Sequence, residues 1–106
     1  MKMRIELDDR IPETVRISAE WRIAFQLSRY SAEIEEVLIQ VFADEHSEGP
    51  PFQCTAMVKL HSDSTFTIHE RSDQPGMAIS TAIDRIASSV RRLVRRHSRI
   101  SNNKGC

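Results

Sequence analysis

Three glycines in 106 residues leave no room for a phosphate-cradling glycine loop, and no GxGxxG, GxxxxGK, GxSxG or HExxH pattern occurs. The chain therefore reads as a non-enzyme with no cofactor. Its two cysteines, Cys54 inside an apolar run and Cys106 at the last position, make neither a disulfide framework nor a metal spacing, and both read as free thiols. His46, His61, His69 and His97 are scattered along the sequence, which argues against a metal site. The longest apolar runs, such as Val37-Leu38-Ile39, are far short of the ~20 residues a bilayer span requires. A start in charged alternation, with no apolar stretch of signal-peptide length, makes the cytoplasm the expected location. Net charge is also missing: 15 Lys plus Arg balance 15 Asp plus Glu, which excludes an indiscriminate polyanion binder and makes any nucleic-acid surface local.

What is present is one domain's worth of patterned sequence, expected over residues 1–100 with a short disordered tail at 101–106. Met3, Ile5 and Leu7 alternate with charged residues, the period of a half-buried strand. Pro12 and Glu13 suit a helix start, and the spacing predicts a helix to about Tyr30. Its broad apolar side is expected to be Ile17, Trp21, Ile23, Ala24 and Leu27, with Ser18, Arg22, Gln26 and Arg29 as a polar stripe. Val37 to Ala43 reads as a second strand, which Glu48-Gly49-Pro50-Pro51 interrupts. Cys54, Ala56, Val58 and Leu60, then Ser62-Asp63-Ser64, then Phe66 and Ile68 read as a hairpin. Ile79, Ile83, Ile86, Val90, Leu93 and His97 fall at helical steps, predicting a terminal amphipathic helix that ends between Arg99 and Asn102. The order β-α-β-β-β-α, with one apolar side per helix, predicts an α+β fold: a four-stranded mixed sheet with both helices on one face.

Charge is distributed unevenly. No Lys or Arg occurs between Tyr30 and Val58, where Glu33, Glu35, Glu36, Asp44, Glu45 and Glu48 lie. From Arg85 onward the chain carries Arg85, Arg91, Arg92, Arg95, Arg96 and Arg99 beside a single acid, Asp84. Two readings of this row stay open: a solvated helix face favoured by the dipole, or a surface whose planar guanidinium forks track backbone phosphates over roughly 15 to 20 Å. Arg22 and Arg29 of the first helix extend it if the helices lie side by side. The strands lack the aromatic pairs that stack bases on a sheet, so recognition by shape and backbone is the expected mode. Leu38, Phe42 and Met57 fall on the sheet face away from the helices and are the candidates for a protein contact or self-association, or else are scattered surface hydrophobes.

Two stretches carry a family resemblance. Leu27-Ser28-Arg29-Tyr30-Ser31 through Ile34, Val37, Ile39 and Val41 resembles the helix-to-strand passage of the ribosome hibernation-promoting factor (ribosome-associated inhibitor, S30AE) family. Ala82-Ile83-Asp84-Arg85-Ile86 through His97 resembles that family's terminal helix. The resemblance implies a short-form member, similar in layout to a double-stranded RNA-binding domain, that binds 16S ribosomal RNA of the small ribosomal subunit, in the cleft for mRNA and tRNA, and inhibits translation under stress or in stationary phase. It implies RNA contacts from Arg22, Arg29, Arg85, Arg91, Arg92, Arg95, Arg96 and Arg99. The chain departs from the family pattern at Ala78-Ile79-Ser80, where many members have an Asp-x-Tyr step. It also has fewer basic residues on the first helix and a neutral net charge. The competing expectation is a diverged member that binds a protein through Leu38, Phe42 and Met57.

Overall fold

A computed structural model describes the backbone of residues 1–44 and 48–104 and the side chains of 1–44 and 48–95. The elements are β1 (Lys2–Leu7), α1 (Glu13–Leu27), a 3-10 turn (Ser28–Tyr30), β2 (Ile34–Ala43), β3 (Phe52–Leu60), β4 (Thr65–Ser72) and α2 (Pro75–Lys104). The sheet order is β1-β2-β3-β4. β1 runs parallel to β2 through the α1 crossover, and the remaining pairs are antiparallel. This is the expected α+β topology.

Alternation fixes the register. Val37, Ile39 and Val41 of β2 and Cys54, Ala56 and Val58 of β3 are fully or almost fully buried and pair directly across the strands. A one-residue slip would turn every one of them to solvent. β2 begins at Ile34, ahead of the expected Val37, because a register shift between Ile34 and Glu36 lets Ile34 pair with Leu60 and stay buried. The β3-β4 turn places Asp63 at φ 68, a left-handed conformation that Asp tolerates better than most residues. Leu60 N–H donates to Ser64 at 2.8 Å across that turn.

Asp8 ties the end of β1 to the end of β2. Its carboxylate accepts from the Arg10 backbone N–H at 3.1 Å, the Arg10 side chain at 3.2 Å and the Ala43 N–H at 3.4 Å. Pro12 serves as the extended residue before α1 rather than within its first turn. At the other helix, Ser72 Oγ accepts from Gln74 N–H at 3.2 Å, and Pro75 takes the first helical position, where no N–H is needed. α2 runs to Lys104, beyond the end its sequence suggests.

The core lies between the sheet and the helices. α2 contributes Ile79, Ile83, Ile86 and Val90, as its periodicity predicts. α1 differs from expectation. It buries Ala19, Ile23 and Leu27, whereas Ile17, Trp21 and Ala24, expected on the buried side, are exposed. Ala19, Ile23 and Leu27 share one stripe at steps of four; Ile17 and Trp21 belong to a second stripe on the outer side.

Ile23→Ala is expected to cost about 2–5 kcal/mol in denaturant unfolding, whereas Trp21→Ala should stay within about 0.5 kcal/mol of the parent. The reverse ranking would mean that α1 presents its other side to the sheet. Hydrogen bonds from the Arg10 side chain and then the Arg10 and Ala43 backbone hold the Asp8 carboxyl down to about 2. Because the folded value lies below the ordinary one, its stabilisation is complete above the usual carboxylate range and is lost as pH falls through about 2. An NMR titration should find the Asp8 midpoint there, and a normal midpoint would remove the clasp from the account of the β1 end.

Candidate functional site

Both helices on one face give the molecule a helical side and an open-sheet side, and the charged residues are sorted between them. On the open side the acids of β1 and β2 have cationic or amide partners. Arg4 pairs with Glu6 at 3.0 Å and Glu36 at 3.8 Å, Lys59 pairs with Glu35 at 3.3 Å, and Gln40 donates to Glu6 at 2.9 Å. Glu35 and Glu36 of the acidic middle are thus engaged away from the helices.

On the helical side, Arg22 and Arg29 of α1 and the adjoining turn are exposed, as are Arg85, Arg91, Arg92 and Arg95 of α2. These do not form a single line. Arg29 and Arg91 line a groove between the two helices with Phe25, Tyr30 and Ser88. Arg85 and Arg92 fall on the opposite flank of α2, beside Ile68 of β4. Arg95 stands between the two flanks by helical spacing. The side chains of Arg96 and Arg99, also in the predicted row, lie outside the described residues.

One of these arginines already has a partner. Arg85 donates to the carboxylate of Glu70 on β4. Among the described residues, Arg22, Arg29, Arg91, Arg92 and Arg95 have no acidic partner. The two helices are joined by Gln26, which donates to Asp84, so this acid of α2 accepts a hydrogen bond from within the fold.

The candidate protein-contact residues do not make one patch. Leu38 and Met57 are half-buried neighbours across β2 and β3. Phe42, 52% exposed, is separated from them by the polar Gln40-Thr55 row. His69 on the same face shares a hydrogen bond with Thr55 Oγ1 at 3.2 Å, and His61 is exposed in the β3-β4 turn. His46 lies outside the described residues, as do the side chain of His97 and all of Cys106. Among the described residues no group of three His, Cys, Asp or Glu side chains could hold a metal, and no helix is long and apolar enough to cross a membrane.

Sequence reasoning did not single out Phe25. It is 88% exposed, one helical turn from Trp21 at 74%. The signal was present as two parallel apolar stripes, 17-21-25 and 19-23-27; spacing alone does not say which is buried.

Fold and surface together define a one-sheet, two-helix α+β domain with unpaired cations on its helical side. Neither a family model nor a curated protein sequence matches the chain. Among solved structures, it is similar to the N-terminal domain of Thermus thermophilus Protein Y, with a TM-score of 0.67 and 18% identity, covering 88% of this chain and 99% of that one. It is equally similar to a ribosomal subunit interface protein from Coxiella burnetii, with a TM-score of 0.67 and 18% identity over 90% of this chain and 99% of that one. At this identity the likeness establishes the fold.

Burial, and secondarily the charge of Glu70, push the Cys54 thiol up to about 12. In a Cys106→Ser background a thiol reagent near pH 8 should therefore label nothing until the chain is unfolded. Stoichiometric labelling of the native protein would contradict the burial of Cys54.

Proposed function

We propose that this chain binds the small ribosomal subunit through the backbone of 16S ribosomal RNA, in the cleft that mRNA and tRNA occupy, and inhibits translation there as a ribosome-hibernation protein. The observation that carries the reading is the group of exposed arginines, Arg22, Arg29, Arg91, Arg92 and Arg95, without acidic partners on the helical side. Similarity of the fold to a ribosomal subunit interface protein supports it. Arg96 and Arg99, further along α2, extend the same row in sequence.

Phosphate recognition suits this surface. Guanidinium forks on rigid helices offer bidentate donors at fixed spacing, and from Arg85 to Arg95 the helix rises about 15 Å. Arg85 enters differently: a phosphate must compete with Glu70 for it, so its net contribution is smaller. Backbone contacts also account for a binding surface without a base-reading code.

Co-sedimentation with 30S subunits and 70S ribosomes tests the reading. If five arginines each meet a phosphate, affinity should fall roughly 10²- to 10³-fold between about 50 and 200 mM salt. Arg92→Glu with Arg95→Glu should abolish binding, Arg85→Ala should weaken it less than Arg91→Ala, and Leu38→Asp with Phe42→Asp should leave it unchanged. No sedimentation at about 50 mM salt, or binding lost only in the Leu38/Phe42 variant, would overturn the proposal in favour of a protein partner at the open sheet.

A further inference from the structure

Phosphate contacts leave the most exposed side of α1 unexplained. Ile17, Trp21 and Phe25 follow one another at steps of four and are 50%, 74% and 88% exposed. Two aromatic rings held this far into water forgo the burial that Ile23 and Leu27 obtain on the opposite side of the same helix. Their placement is ordered: by helical geometry Trp21 and Phe25 are neighbours about 6 Å apart at Cβ, both projecting from a rigid element.

The flanks of this ridge differ in charge. On the side toward α2 stand Arg22 and Arg29, and Phe25 forms part of the wall of a groove of about 220 Å³ whose lining includes Arg29, Tyr30, Ala87, Ser88 and Arg91. On the other flank stand Glu13 and Glu20, seven residues and thus two turns apart, with Glu13 already paired to Arg16 at 2.9 Å. Asp84 of α2 accepts from Gln26, which itself lines the groove. An apolar ring face bordered by unpaired guanidinium groups matches a particular ligand chemistry: a planar π system attached to a phosphate.

We propose that Trp21 and Phe25, with Arg29 and Arg91, form a stacking site for unpaired RNA nucleotides. A base lies on the face of Phe25 or Trp21, and its flanking phosphates meet Arg29 and Arg91. Stacking of this kind accepts any base, because every base has a π face. The inference rests on the RNA-binding reading above and adds what backbone contacts alone do not give, a preference for single-stranded over paired RNA. A second copy of the chain fits the ridge less well, since antiparallel two-fold pairing of two such helices sets the arginine flank against its own copy.

Trp21 is the sole tryptophan, so its fluorescence reports on the site directly. The full chain is titrated at about 50 mM salt with an unstructured RNA of about 12 nucleotides and with a duplex of the same length. Expected are quenching of Trp21 by the single strand and little by the duplex, with Phe25→Leu weakening single-strand affinity about 5- to 150-fold, the range for loss of one stacked base. Because Phe25 is exposed, circular dichroism should show Phe25→Leu folded like the parent. Equal affinity for both RNAs without quenching, or Phe25→Leu binding like the parent, overturns the stacking site while leaving the phosphate surface in place. A concentration-dependent dimer that Phe25→Leu dissolves assigns the ridge to self-association and also overturns it. If neither RNA binds and ribosomes fail to retain the parent chain, the RNA-binding reading falls first and the stacking site with it.

Discussion

Ile23 and Leu27 of α1 and Ile79, Ile83, Ile86 and Val90 of α2 can leave water only against the sheet, and only one face of that sheet is apolar enough to receive them. That face is built by Ile39, Val41, Ala56 and Val58, each fully buried. The opposite face carries Arg4, Glu6, Glu36, Gln40 and Lys59, paired among themselves or with their neighbours. Placing a helix there would strip these groups of solvent, at a cost that apolar contact with so polar a face does not offset. Both helices are thereby confined to one side, and their outer surfaces become one continuous face.

The two helices differ in how openly their sequences state this packing. In α2 a single apolar stripe faces a strongly polar opposite side, so period alone identifies the buried residues. In α1 two apolar stripes run side by side, and the larger side chains, Ile17, Trp21 and Phe25, form the outer one. Reading size as a guide to burial selects Trp21, yet Ala19 is the residue almost wholly buried. Hydrophobicity cannot resolve such a case, because the choice depends on which stripe the crossover from β1 to β2 turns inward. Arg16 supplies part of the answer, donating to the Ile5 carbonyl of β1 and so fixing the rotation of α1 about its axis.

The arginine surface was legible to a similar degree. Clustering of Arg91, Arg92 and Arg95 follows from sequence, and so does their exposure opposite Ile83, Ile86 and Val90. Their division between two flanks of α2, and the engagement of Arg85 by Glu70, require β4 to be in place beside the helix. Glu70 stands fifteen residues before Arg85, and no local periodicity links them. The Leu38-Met57 neighbourhood and its separation from Phe42 likewise depend on the β2-β3 register.

A neutral total charge is compatible with an anion-binding face when the charges are sorted by side. Among the described residues the last fully buried one of α2 is Val90; beyond it come Arg91, Arg92 and Arg95, which meet no carboxylate from the sheet even though Arg92 still lies beside Ile68 and Phe66 of β4. Upstream, Arg85 is still beside β4 and has found Glu70. Cations therefore remain unpaired on the stretch of α2 that meets no sheet carboxylate, while the acids of β1 and β2 are engaged on the opposite side. The resulting field has direction without a large monopole: at distances beyond the Debye length, roughly 8 Å in physiological salt, a neutral chain exerts little net pull. Attraction to a polyanion then grows only once the helical side is presented, so orientation, more than encounter at long range, determines which surface such a chain engages.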